Sequence, residues 1–180
     1  MKTQIHLLAS LIVTIAIVAC NPKTEESNET NPSLTLQQLQ NAKYYTKSAA
    51  DKLQLTDGEY RKKYEPDSAS ERVLRLSHSA VGNLDDTGGE DAAVILVDNP
   101  GGSGTFYYLF ASINQNGKPF NVVPMLLGDR IRVEGLAIKE EEIVIDMLTR
   151  GDDEAMASEP TLEITRKYRL ETNRLVLVEK

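Results

Sequence analysis

The stretch AVGNLDDTGGEDAAVIL, residues 80–96, places oxygen-bearing side chains at Asn83, Asp85, Thr87 and Asp91, with Gly88 and Gly89 before an apolar run that starts at Ala92. Alternate oxygens followed by a glycine are the pattern of calcium loops, in which the sixth position is glycine so that the chain can turn sharply. Counted from Asn83, Gly88 is sixth and Asp91 ninth, but only two of the four side chains are carboxylates. The twelfth position, where such loops carry an acid, is Val94. Fewer anionic ligands bind calcium more weakly, so this loop is expected to keep the calcium-loop backbone and to hold Ca2+ weakly or not at all. Asn83 and Asp85 would instead accept hydrogen bonds from the loop's own amides, as Asx turns do.

Little else in the chain points at chemistry. His78 is the only histidine beyond the first twenty residues, so any serine–histidine–acid arrangement must use it, with Ser77, Ser79 or Ser103 as nucleophile. The segment GGSGT, residues 101–105, is not a G-x-S-x-G elbow, because Thr105 stands where the last glycine belongs. It is not a P-loop either: Phe106, Tyr107 and Tyr108 follow where lysine, a hydroxyl residue and a helix are required. The acids Asp85–Asp86, Glu90–Asp91 and Asp152–Asp153–Glu154 all fall near turns, where carboxylates serve solubility as readily as catalysis. No residue is therefore assigned as catalytic.

The elements that must position these residues are mostly strands. TLQQLQNAKYY puts Leu36, Leu39 and Ala42 on one helical face, with Thr35 and Gln38 spaced as a capping box, and predicts a short helix up to about Lys47. Beyond it, either SAADKLQL is a second helical piece, or KLQLTDGEYRKKY is a hairpin about Asp57–Gly58 with Leu53 and Leu55 alternating. From residue 72 the period is two. DAAVILVDN is apolar almost throughout, as a central strand should be. Asn116–Gly117 is a strong hairpin signal, Pro124 marks an edge or a bulge, and the phase slips at Gly135 as at a bulge. Turns follow before EEIVIDMLT and near Thr172–Asn173. About seven strands joined by short turns cannot be parallel, because parallel pairs need long crossovers. The expectation is an α+β, mostly β domain: an antiparallel meander, barrel-like if it closes on itself, with one or two short N-terminal helices covering a face or an open end.

The bulk numbers fit one such domain plus a tail: 180 residues, 41% of them hydrophobic, no tryptophan, and a formal net charge of −7. Without the first nineteen residues, which hold one lysine and no acid, the charge is −8. An acidic domain is repelled by phosphate backbones, so nucleic acid is not an expected partner.

The N-terminus reads as an export signal: Lys2, an apolar run from Ile5 to Ala19, then Cys20, the only cysteine. The sequence IVAC, residues 17–20, resembles the lipobox of bacterial lipoproteins. The resemblance implies cleavage between Ala19 and Cys20 and attachment of acyl chains to Cys20, which hold a protein on a bilayer durably. The alternative is an uncleaved anchor helix with a buried thiol. Asn21 rather than aspartate after the cysteine implies, by the sorting rule of enteric lipoproteins, the outer membrane. A lipidated Cys20 leaves the mature chain without a thiol, which excludes cysteine catalysis, disulfides and cysteine-based zinc sites. Residues 21–33, with two prolines and no large apolar side chain, would be a flexible tether, and residues 34–180 the globular domain.

A second resemblance covers about 100 of the 180 residues. The span from Gly82 to Arg130 is similar to a domain of uncharacterised exported bacterial proteins, whose pattern runs roughly GDLDGDG-DDA, a strand, NPGGSGTF, YL, NQNGKP and GDR. This chain has Asn83 and Thr87 where the pattern has aspartates, and Met156–Thr161 where relatives often carry M-C-x-P-T. The resemblance implies one fold unit and export, and supplies no catalytic residues. The expected function is a membrane-anchored envelope lipoprotein that acts as a non-enzymatic binding or structural module toward an envelope protein or ligand, in the periplasm or at the surface. The alternatives are an exported hydrolase or a calcium-dependent binding module.

Overall fold

The computed structural model describes residues 32–46, 52–67, 69–85, 87, 89–155 and 157–179. Ala19, Cys20 and the tether up to residue 31 lie outside them, as do Asp86 and Gly88 of the acidic loop. The domain is mostly β, 58% strand and 4% helix, with every strand pairing antiparallel.

The helix is shorter than its apolar spacing predicts. α1 (Leu36–Gln40) starts at the predicted capping box: the Thr35 hydroxyl accepts from the Gln38 N–H, and the Gln38 side chain accepts from the Thr35 N–H at 2.8 Å. It ends at Asn41 rather than near Lys47, and the chain turns at once into β1 (Lys43–Tyr44). Leu39 and Ala42 are buried, whereas Leu36, expected on the same face, is exposed. β1 pairs with β2 (Leu53–Gln54), and Asp57 and Gly58, both at positive φ, turn the chain into β3 (Glu59–Lys63). Of the hairpin reading for this segment the structure takes the turn and a single antiparallel bridge between Thr56 and Glu59, while β2 pairs with β1 and β3 with the following strand; residues 48–51 lie outside the described ones, and 52–55 are not helical.

The main sheet has the order β3–β4–β5–β6–β7, where β4 is Glu71–Gly82, β5 Asp91–Asn99, β6 Phe106–Asn114 and β7 Pro119–Asn121. β8 (Met125–Asp129) pairs with β6 beyond β7. β7 and β8 are one edge strand interrupted at residues 122–124, where Pro124 can donate no ladder bond, as expected. The second sheet has the order β12–β11–β10–β9, where β9 is Arg132–Lys139, β10 Glu142–Thr149, β11 Leu162–Glu171 and β12 Arg174–Glu179. Its register slips between Asp146 and Met147 opposite Gly135 and Val133, the bulge that the phase change at Gly135 predicts.

The antiparallel meander forms as expected, but it does not close and it is divided between the main sheet and the second. The run of hairpins breaks between β8 and β9, because Arg130 adopts φ +50° and turns the chain out of the first sheet. Ile131 and Val133 then drop between the two sheets and β9 pairs with β10. The result is two open sheets face to face, with a third layer, α1 and β1–β2, on the far side of the main sheet. β5 sits in the middle and alternates: Ala93 and Ile95 pack toward the second sheet with Leu109, Ile143 and Ile145, while Ala92, Val94 and Leu96 pack toward Leu39, Tyr44 and Leu55. Both faces of this strand need apolar residues, hence the near-continuous run. Where β4 crosses β9, a Cβ on Gly82 would stand 2.9 Å from Ile138, so only glycine allows the sheets to approach there.

Candidate functional site

The acidic loop joins β4 to β5, and its side chains do three different things. Asp85 Oδ1 accepts the Thr87 N–H at 2.9 Å and also the Thr87 hydroxyl, an Asx turn at the expected residue. Asn83 is exposed. Asp91 is fully buried and turned away from the loop mouth: Oδ2 accepts the Leu84 N–H at 2.9 Å, Oδ1 accepts the Asn114 N–H at 2.8 Å, and the Asp85 N–H also points to this carboxylate. Burial pushes the Asp91 pKa up, the amides of Asn114 and Leu84 oppose it, and the charge of Asp85 adds to the rise. Of the four calcium-ligand candidates, Asp85 and Thr87 meet each other, while Asp91 braces the backbone. Among the described residues no group of three His, Cys, Asp or Glu side chains is placed to hold a metal ion. The loop is further tied to the β6–β7 turn, where Asn114 donates to the carbonyls of Pro32 and Glu90, and Asn114 Oδ1 accepts the Gly117 N–H.

Ser77 Oγ and His78 Nδ1 stand 2.7 Å apart. The pair results from a bulge: His78 opposes Ile95 and Leu76 opposes Leu96, so Ser77 is the extra residue. No carboxylate is hydrogen-bonded to this imidazole among the described residues. Ser77 and Ser79 are exposed on the strand, and Ser103 lies in the β5–β6 turn, where its carbonyl accepts from Arg130. The acids Asp152, Asp153 and Glu154 are exposed in a turn, and Glu154 accepts the Gly151 N–H. A nucleophile and a base are thus adjacent, without an orienting acid.

At the opposite end of β5, the glycine-rich turn is tied to the GDR segment. The Thr105 N–H donates to Asp129 Oδ1 at 2.7 Å, the Arg130 N–H to the Thr105 carbonyl at 2.7 Å, and the Thr105 hydroxyl to Asn99 Oδ1 at 2.8 Å. Arg150 adds bonds to the carbonyls of Asp129, Arg130 and Ser158. Beside this knot a groove of about 430 Å³ is lined by Tyr107, Arg130, Arg132, Ile131, Glu159 and Pro160. The sequence motifs NPGGSGTF and GDR are therefore partners in space.

Two features are only faintly signalled in the sequence. The first is a buried ion pair: the Arg72 guanidinium bonds both oxygens of Asp98, at 3.0 and 2.6 Å, and donates to the Thr46 hydroxyl at 2.6 Å. The polar residue near the end of an otherwise apolar strand was the only hint of it. The second is a groove of about 460 Å³ between the helix layer and the β6–β7 turn, bordered by Lys43, Lys52 and Lys118 with Phe120 and no acid. Alternation in β1 and β2 places Tyr44 and Leu53 inward and Lys43 and Gln54 outward, which could have flagged part of it. The chain matches no family model, no curated protein and no solved structure.

Proposed function

We propose that this chain is an envelope lipoprotein, anchored through Cys20 in the outer membrane, whose mostly β domain is a non-enzymatic binding or structural module. The observation that supports a binding role is where the chemically capable side chains are used. Asp91, Asp129, Arg130 and Arg150 are directed at backbone amides and carbonyls, which fix loops, and open grooves lie beside those loops. The anchor is tested with Cys20→Ala in the native host. The parent should take up a fatty-acid label and partition into detergent, and the variant should do neither; a variant that partitions as the parent does removes the lipoprotein reading.

One observation favours a second reading, an exported hydrolase: the short Ser77–His78 contact. A fluorophosphonate probe on the full-length protein separates the two. The binding reading expects no labelling of Ser77; stoichiometric labelling that disappears in His78→Ala would establish the hydrolase instead.

A further inference from the structure

Charge is segregated along this chain more sharply than its net value suggests. Residues 32–64 hold six Lys or Arg against three Asp or Glu, whereas residues 65–180 hold twelve against twenty-one. The N-terminal segment is thus cationic on a chain that is otherwise strongly acidic; Arg61, Lys62 and Lys63 of this set lie on β3 of the main sheet, and Lys43 and Lys52 are the described bases of the α1 and β1–β2 layer. Within that layer Lys43 and Lys52 converge with Lys118 of the β6–β7 turn on one groove. All three lysines are exposed, and none is in an ion pair among the described residues. Gln38, Asn41 and Asn121 add amide groups to the lining, and Phe120 stands 41% exposed beside them. Among the described residues, Asp57, whose N–H is bonded to Asn41, and Glu90, whose carboxylate accepts the Ser33 hydroxyl, are tied to neighbouring segments without lining the groove. The other grooves differ: one holds Glu134, Asp146 and Glu163 around a single arginine, and the one beside Tyr107 includes Glu159.

The start of the described chain lies at this same place. The Pro32 carbonyl accepts from Asn114, and a Cβ on Gly117 would stand 3.2 Å from Pro32 Cγ, while Gln38 donates to the Gly117 carbonyl. Eleven residues separate Pro32 from Cys20, a reach of at most about 40 Å. We propose that the groove of Lys43, Lys52 and Lys118 is a docking face for the phosphate headgroups of an anionic phospholipid surface. Phe120 enters the interfacial zone, and the second sheet, whose turns carry Glu140, Glu141, Asp152, Asp153 and Glu154, is turned outward. Aromatic side chains favour that zone, and lysines beside it are attracted to anionic lipid. The proposal rests on the lipid-anchor reading and gives the anchored domain a defined orientation.

The test is amine-reactive labelling, read residue by residue by mass spectrometry, of the full lipidated chain on vesicles of phosphatidylcholine alone or mixed with phosphatidylglycerol. On the anionic vesicles, labelling of Lys43, Lys52 and Lys118 should fall about five-fold or more, Lys139 on β9 should be unchanged, and about 0.5 M salt, with its Debye length of about 4 Å, should restore it. Equal labelling of the three lysines on both vesicles overturns the docking face, as does equal protection by inorganic phosphate without vesicles, which would make this a small-anion site. A chain that does not float with neutral vesicles refutes the anchor alone. In that case co-flotation with anionic vesicles still decides the groove: it should weaken about five-fold in Lys52→Gln, about twenty-five-fold in Lys43→Gln with Lys52→Gln, and little in Lys52→Arg. Undiminished co-flotation of the double variant would overturn the proposal.

Discussion

Strand β5 begins on a fully buried aspartate and carries a second one next to its end, and the two are held in different ways. Asp91, its first residue, faces backbone N–H groups of Leu84, Asp85 and Asn114 and is in no ion pair among the described residues. Asp98, next to its last, is gripped through both oxygens by the Arg72 guanidinium. At the Asp91 end a single side chain organises three backbone segments: the acidic loop, the strand and the β6–β7 turn. At the Asp98 end two side chains depend on each other, and Thr46 of the helix layer is fastened to them. The first device adapts a loop to the sheet, and the second joins two layers. Neither needs a reaction to explain it.

The comparison predicts its largest effect at the ion pair. Asp98→Ala removes the carboxylate that two Arg72 bonds reach and leaves the guanidinium charge buried, and should cost about 4 kcal/mol in urea denaturation. Replacing both partners with apolar residues, Arg72→Met with Asp98→Leu, should recover most of that loss, because the desolvation of two charges is removed together. If the double variant is no better than Asp98→Ala, the pair supports the fold through more than its own charges. At the other end Asp91→Ala takes the acceptor from the Leu84 and Asn114 amides, at about 3 kcal/mol, and Asp91→Asn should cost less. A rescue by any apolar residue at 91 would break the distinction between the two ends.

A smaller effect belongs to the glycine-rich turn. Arg150→Ala removes three bonds to carbonyl groups around residues 129–130 and 158 and should cost about 2 kcal/mol. Hydrogen exchange at the Thr105 and Arg130 amides should rise with it, whereas the amides that face Asp91 should keep their protection. A uniform rise at both ends would mean that the two knots are not independent.

The Asp91 end also carries a pH dependence. Burial raises the Asp91 pKa above its ordinary value of 3.8. A carboxyl with a raised folded-state pKa adds stability that is complete below the unfolded value and is lost as pH rises through the folded value. The stability of the parent minus that of Asp91→Asn should therefore fall as pH rises from about 3.5 through the raised midpoint. A difference that climbs with pH over that interval would mean that the three amides outweigh burial and hold the ionised form.

How much of this could be read beforehand follows from how local each device is. The Thr35–Gln38 cap, the Asp57–Gly58 and Asn116–Gly117 turns, the bulge at Gly135 and the central place of β5 all express themselves within a few residues. The helix end did not, because the inward turn of Tyr44 into the core overrides helical spacing after Gln40. The division into two sheets hinges on a left-handed arginine at 130, a conformation that its sequence context does not announce. Arg72 and Asp98 are 26 positions apart, and Lys43, Lys52 and Lys118 come from three segments, so only the folded arrangement brings either set together. For the candidate calcium loop, the positions were legible but the direction of Asp91 was not: its spacing fits a ligand, and its burial makes it a brace.

That direction also sets the smallest expected effect. Both Asp91 oxygens already accept amides inside the protein, so a cation at the loop mouth would have Asp85 as its one carboxylate among the described candidate ligands. Asp85 would offer Oδ2 while Oδ1 keeps the Thr87 amide that closes its Asx turn. Binding at a dissociation constant of about 1 mM, the weak end of extracellular sites, would stabilise the fold by only about 0.4 kcal/mol at an equal concentration of free calcium. Thermal unfolding of the metal-free protein with and without about 1 mM calcium should therefore shift by no more than that free energy allows. A gain above about 1 kcal/mol at that concentration, absent in Asp85→Ala, would require tighter binding, and Asp91 would then have to leave its amides to complete the site.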